Sequence, residues 1–150
     1  MEGVEKIIIA LFAFVGFLVA GYIHATKKNA IPLVCPLEGS CDVVIHSDHS
    51  KIFGIPVELL GAAYYTLMTT VYFLFFLFPD SLPVWFPYAL LIIGALAFLF
   101  SLYLTALQAF ILRHWCTWCL LSASICAIMF LITVILLKEQ TIMILRMMLP

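Results

Sequence analysis

The chain has 150 residues, 66% of them hydrophobic and only 10% charged, with a mean hydropathy of +1.22 and a formal net charge of −1. Soluble domains are roughly half apolar and about a quarter charged, so one small core could not hide this much apolar surface. The balance excludes a soluble globular domain and a disordered chain, and seven Lys/Arg against eight Asp/Glu leave no basic surface for nucleic acid. A helical integral membrane protein remains.

Crossing a bilayer takes about 20 apolar residues in a helix. Four runs qualify, over residues 7–23, 57–78, 85–111 and 116–137, the second stopping at Pro79-Asp80 and the fourth at Lys138-Glu139. Period-two alternation is absent, and backbone groups in lipid must be satisfied within their own segment, which favours helices. The expectation is an all-α bundle of four transmembrane helices forming a single integral membrane domain over 1–150. Gly16, Gly21, Gly61 and Gly94 are candidates for close helix approach. The first run has some likeness to a cleaved signal peptide. Its length and the poor cleavage site at Ile23-His24-Ala25 favour a retained span. The tail from Thr141 to Pro150 is too short to cross and is expected at the interface or frayed.

An even number of spans puts both termini on one side of the cell membrane. The polar loop 24–56 and the link Leu112-Arg113-His114-Trp115 then share the other side, whereas the link from Pro79 to Pro83 carries only Asp80. Four of the five cysteines therefore fall on one face: Cys35, Cys41, Cys116 and Cys119. Flanking charges do not orient the bundle, with Lys6, Lys138 and Arg146 on the terminal side and Lys27, Lys28, Lys51 and Arg113 on the cysteine side. The local excess at Lys27-Lys28 points the cysteines to the cytoplasm, whereas disulfide chemistry favours the oxidising outer side.

Cys116-Thr-Trp-Cys119 opens the fourth span. A spacing of three puts both sulfurs on one side of the first helical turn, where free backbone amides stabilise a thiolate. Arg113 and His114, just before it, push the same way. Cys35 and Cys41 sit six positions apart, with Pro36, Gly39 and Ser40 helping the chain turn between them. Two such pairs on one face suit thiol–disulfide exchange. Three plainer readings compete: a zinc site with His46 and His49, a structural disulfide in the loop, and a structural four-span protein whose cysteines are small hydrophobes. Cys126, two turns below Cys119, reads as a packing residue. Trp115, Trp118 and Phe53 suit either an interfacial aromatic belt or stacking on a flat ligand.

Several stretches together resemble the vitamin K epoxide reductase family: Cys35-x5-Cys41 followed by Asp42-Val43-Val44-Ile45-His46-Ser47, then Phe53-Gly54-Ile55-Pro56, then Leu60-Gly61-Ala62-Ala63-Tyr64-Tyr65, and last Cys116-Thr117-Trp118-Cys119. Order, spacing and span number agree over about residues 7 to 137. Bacterial quinone-linked disulfide oxidases also have four spans and two cysteine pairs, but lack the Phe-Gly-Ile-Pro element. The resemblance implies a monomeric four-helix bundle around a membrane quinone of the menaquinone, ubiquinone or vitamin K type, and no metal. It also implies that Cys35 and Cys41 exchange with a separate thioredoxin-like thiol protein, that Cys116 exchanges with that pair through Cys41, and that Cys119 faces the ring. Ser47 matches a family serine near the shuttle cysteines. Phe53 and Pro56 belong to a segment resembling a short interfacial helix that caps the quinone pocket. Two departures weigh against reduction of vitamin K epoxide itself. Animal members have a tyrosine where this chain has Ala123, and an asparagine near the start of the second span, where it reads Ile55-Pro56-Val57-Glu58.

Overall fold

The long apolar runs become long helices. A computed structural model describes residues 2–29, 31–36, 39–78, 83 and 85–148. Helix α1 spans Glu2–Lys28, the short α2 spans Cys41–Ile45, α3 spans Val57–Leu77, α4 spans Phe86–Ala106 and α5 spans Thr117–Met148. Among the described residues, four segments are long and apolar enough to cross a membrane: Gly3–Lys28, Val57–Leu77, Phe86–Leu112 and Thr117–Glu139. The fold is the expected all-α membrane bundle of four long helices, with a short helix in the loop after the first.

Helix α1 packs chiefly on α3 and also on α5, while α4 leans on α5. Ile9 and Ala13 of α1, Tyr65, Met68 and Tyr72 of α3, and Met129 of α5 form the central core. Gly16 makes room for the Tyr65 ring of α3, since a methyl there would lie 2.5 Å from it. Gly21 and Gly61 have nothing within 4 Å of that position, so they are not the close approaches expected of them. The Tyr65 hydroxyl donates to the Ser122 carbonyl at 2.7 Å, and the Tyr72 and Thr133 hydroxyls meet at 3.0 Å. With no water at this depth, such bonds satisfy buried hydroxyls and tie α3 to α5.

The helix ends hold several departures from expectation. Helix α3 stops at Leu77, because the residue before a proline is steered away from helical geometry. The link Pro79 to Leu82, with Asp80, lies outside the described residues, as do Leu149 and Pro150. Helix α5 does not stop at Lys138-Glu139 but continues to Met148, so the described part of the tail, from Thr141 to Met148, extends that helix. Lys and Glu are good helix formers, and mark where a helix leaves lipid rather than where it ends. Helix α4 runs into a wider π-helical stretch, Leu107–Leu112, closed by Arg113 at φ 53°.

The loop after α1 departs most. Phe53-Gly54-Ile55-Pro56 is not a helix. Strand β1, Lys51–Ile52, pairs antiparallel with strand β2, Ile55–Pro56, opposing Lys51 to Pro56 and Ile52 to Ile55. The two residues between have φ of 50° at Phe53 and 81° at Gly54. Two consecutive left-handed residues make the turn that matches the twist of a tight hairpin. The short helix of this loop is α2, followed by a 3-10 turn at Asp48–Ser50.

Candidate active site

Helix α2 buries Cys41, Val44 and Ile45 and exposes Asp42 and Val43, the three-and-four spacing of one helix face. That face meets Val19 and Ile23 of α1, Leu33 and Cys116 in a second apolar cluster, with Cys35 and Cys119 packed at its margin. The four cysteines thus gather at one end of the bundle. Cys35 is bridged to Cys41 across a Cα separation of 5.8 Å, and Cys116 to Cys119 across 5.2 Å. Cys41 is 1% exposed and Cys116 0%, while Cys35 and Cys119 are half-buried.

The loop carrying Cys35 is held against the second couple on both sides. The Trp118 indole N–H donates to the Val34 carbonyl at 3.1 Å. A methyl on Gly39 would lie 2.6 Å from the Trp115 carbonyl oxygen and 3.2 Å from the Cys35 sulfur. Only glycine lets the two backbones come this near.

Cys116 sits just before α5. The Cys119 N–H, one of the free amides of the first turn, donates to the Cys116 sulfur at 3.2 Å. The Cys116 N–H donates to the Gln108 side-chain oxygen at 3.1 Å. Gln108 is buried in the π-helical stretch, and this bond fixes its amide so that the NH2 end remains for the space beside it.

That space is a cavity of about 420 Å³ between α1, α3, α4, α5 and the loop. Cys119 lines it, together with Ser47, Glu58, Tyr64, Gln108 and Cys126, and its remaining walls are largely apolar. The Ser47 hydroxyl donates to the Val44 carbonyl at 2.8 Å. Glu58, at the start of α3, has a side chain only 6% exposed. It is paired with Lys27 at 3.2 Å and faces His24 at 3.6 Å.

Four residues expected at the ligand are not on the cavity wall. Phe53 is 100% exposed at the hairpin tip. Pro56 is held opposite Lys51 in the hairpin. Trp115 is half exposed, with its carbonyl against Gly39. Trp118 turns to α1, its ring 4.9 Å from that of Tyr22. Arg113 and His114 are exposed, and Arg113 supplies the left-handed turn that redirects the chain towards Cys116. His46 folds back on Asp42 of its own turn, 3.3 Å from the carboxylate, and among the described residues no three His, Cys, Asp or Glu side chains gather as a metal site. Cys126 is buried and free, and it also forms part of the cavity wall beside Tyr64. Gln108 and Glu58 were visible in the sequence as polar residues in or beside apolar runs, a signal that carries functional weight in membrane segments.

The model of the vitamin K epoxide reductase family matches residues 7–134, most of the chain. The chain belongs to that family. This family member is therefore a multi-pass membrane protein and a redox-active oxidoreductase, with its two cysteine couples side by side at one end of the bundle.

Proposed function

We propose that this protein is a quinone-dependent thiol–disulfide oxidoreductase. It takes electrons from a reduced thioredoxin-like partner at Cys35–Cys41, passes them to Cys116–Cys119, and delivers them to a membrane quinone, driving disulfide formation in client proteins. The observation that carries this is the gradation of burial across the four sulfurs. Cys35 is the more accessible of its pair, Cys41 and Cys116 are enclosed in one apolar cluster, and Cys119 lines the cavity.

Each transfer breaks one S–S bond and forms another. A partner thiolate attacks the Cys35 sulfur and releases Cys41 as the leaving thiolate. Cys41 then attacks Cys116 and releases Cys119 towards the cavity. The amide of Cys119 stabilises charge on the Cys116 sulfur. The cavity suits a quinone by its chemistry: apolar walls for ring and tail, the amide donors of Gln108 for a ring oxygen, and a thiol at the wall. A quinone held there supplies the terminal two-electron acceptor.

Reduction of vitamin K epoxide is the less favoured reading, since Ala123, without a hydroxyl, lines the cavity where animal members have their tyrosine. The test is dithiol oxidation by purified protein in detergent or vesicles. Oxidation should require added quinone and stop in Cys119→Ala, which should accumulate a Cys41–Cys116 bridge. Quinone reduction at the parental rate by Cys119→Ala would refute the proposal.

A further inference from the structure

Glu58 is the one acidic side chain that lines the cavity among the described residues. Its position is costly: a carboxylate at the start of a membrane-spanning helix, with a side chain 6% exposed. Lys27, itself 13% exposed, offsets that cost at 3.2 Å from Oε1, and it also donates to Oε2 at 3.4 Å and to the Ser50 hydroxyl at 3.1 Å. One deficit remains. Glu58 Oε1, ion-paired to Lys27 but outside hydrogen-bond geometry, and His24 Nδ1 are both buried without a hydrogen bond, and they face each other at 3.6 Å. A closer approach of a few tenths of an ångström would bring them within hydrogen-bond reach, where a shared proton would satisfy both atoms. The rest of the His24 side chain, 37% exposed, opens to the surface on the cysteine side of the bundle.

We infer that Glu58 is the proton donor to the quinone in this cavity, and that His24 recharges it from water. This rests on the quinone-reducing function proposed above. In that reaction two S–H bonds of the Cys116–Cys119 dithiol break, one S–S bond forms, and two O–H bonds form on the quinone. The electron pair leaves through the Cys119 sulfur. The two thiol protons go to water at the membrane face, and two protons enter through His24 Nδ1 and Glu58 Oε1, so the balance closes. Lys27 holds the carboxylate in place and keeps it from swinging out to solvent. The other titratable groups facing the cavity are His49 from the loop, Tyr64 and Tyr65 from α3, and Cys119 and Cys126 from α5, whereas the polar residues from α4 and the π-helical stretch are the neutral Ser101, Thr105 and Gln108. Of the two charged or titratable side chains within 4 Å of the Glu58 carboxylate, His24 is the more open to the surface, 37% exposed against 13% for Lys27.

The test uses the full-length protein with Glu58→Gln and His24→Gln variants, reduced in advance and mixed with a short-chain ubiquinone. Three quantities are read: reoxidation of Cys116–Cys119 in a single turnover between about pH 5 and 8, quinone affinity by tryptophan fluorescence quenching, and quinone-free exchange between the two cysteine couples by mass spectrometry. A general acid contributes about a hundredfold or more. Glu58→Gln should slow reoxidation by about that factor at every pH, with affinity and quinone-free exchange within about twofold of the parent. His24→Gln should flatten the pH profile and recover with added imidazole, which a purely structural role would not do. Parental reoxidation rates in Glu58→Gln, or a loss that tracks weaker binding, would overturn the assignment alone. A parental protein that quinone does not reoxidise would overturn the proposed function, and the assignment with it.

Discussion

Replacing Gly39 with alanine should wedge the shuttle loop off the second cysteine couple. The new methyl would lie 2.6 Å from the Trp115 carbonyl oxygen, 3.2 Å from the Cys35 sulfur and 3.5 Å from the Thr117 hydroxyl. The carbonyl belongs to the backbone one residue before Cys116 and cannot swing aside as a side chain would. The loop must therefore retreat, by roughly 1 Å to restore ordinary contact. Overpacking of this kind costs about 1–3 kcal/mol. Each 1.4 kcal/mol is a factor of ten, so the share of molecules with the couples in exchange position should fall by about fivefold to 150-fold. Rapid-quench trapping of the exchange from reduced Cys35/Cys41 to the Cys116–Cys119 bridge measures this directly. Reoxidation of Cys116–Cys119 by quinone is the internal control, because the cavity lies on the other side of Cys119, and its rate should stay within about twofold. An exchange rate in Gly39→Ala equal to the parent's would show that the docked loop does not govern electron entry.

Gln108→Leu removes the acceptor of the buried Cys116 N–H. It should destabilise the bundle by about 1–3 kcal/mol in a denaturation titration. Phe53→Ala should leave quinone affinity unchanged, since the ring is wholly exposed at the hairpin tip; a clear loss of affinity would put Phe53 back at the ligand.

The four long helices were legible because their apolar runs match the thickness of a bilayer and have no other stable solution in lipid. The grouping of four cysteines on one face followed from counting spans. Finer geometry was not legible where local chemistry overrides the pattern. Phe53-Gly54 carries a hairpin turn, which the resemblance to a short helix obscured. The π-helical stretch at Leu107–Leu112 leaves no periodicity signal in an apolar run, yet it positions Gln108 under Cys116. Trp115 and Trp118 stand beside the cysteines in sequence, but the first turns its carbonyl to Gly39 and the second its ring to Tyr22. Glu58 was evident as an acid near a span end. Its pairing with Lys27 and His24 depends on α1 packing against α3, which no spacing rule encodes.

The most direct measurement of the central claim leaves one sulfur in each couple. In a Cys35→Ser, Cys119→Ser double variant held in lipid, Cys41 and Cys116 are the remaining cysteines of the cluster. Mild oxidation followed by peptide mapping should find them joined in most molecules within minutes, faster than either pairs with Cys126. Two persistently free thiols in a folded protein would mean that the couples do not meet, and that electrons do not pass between them.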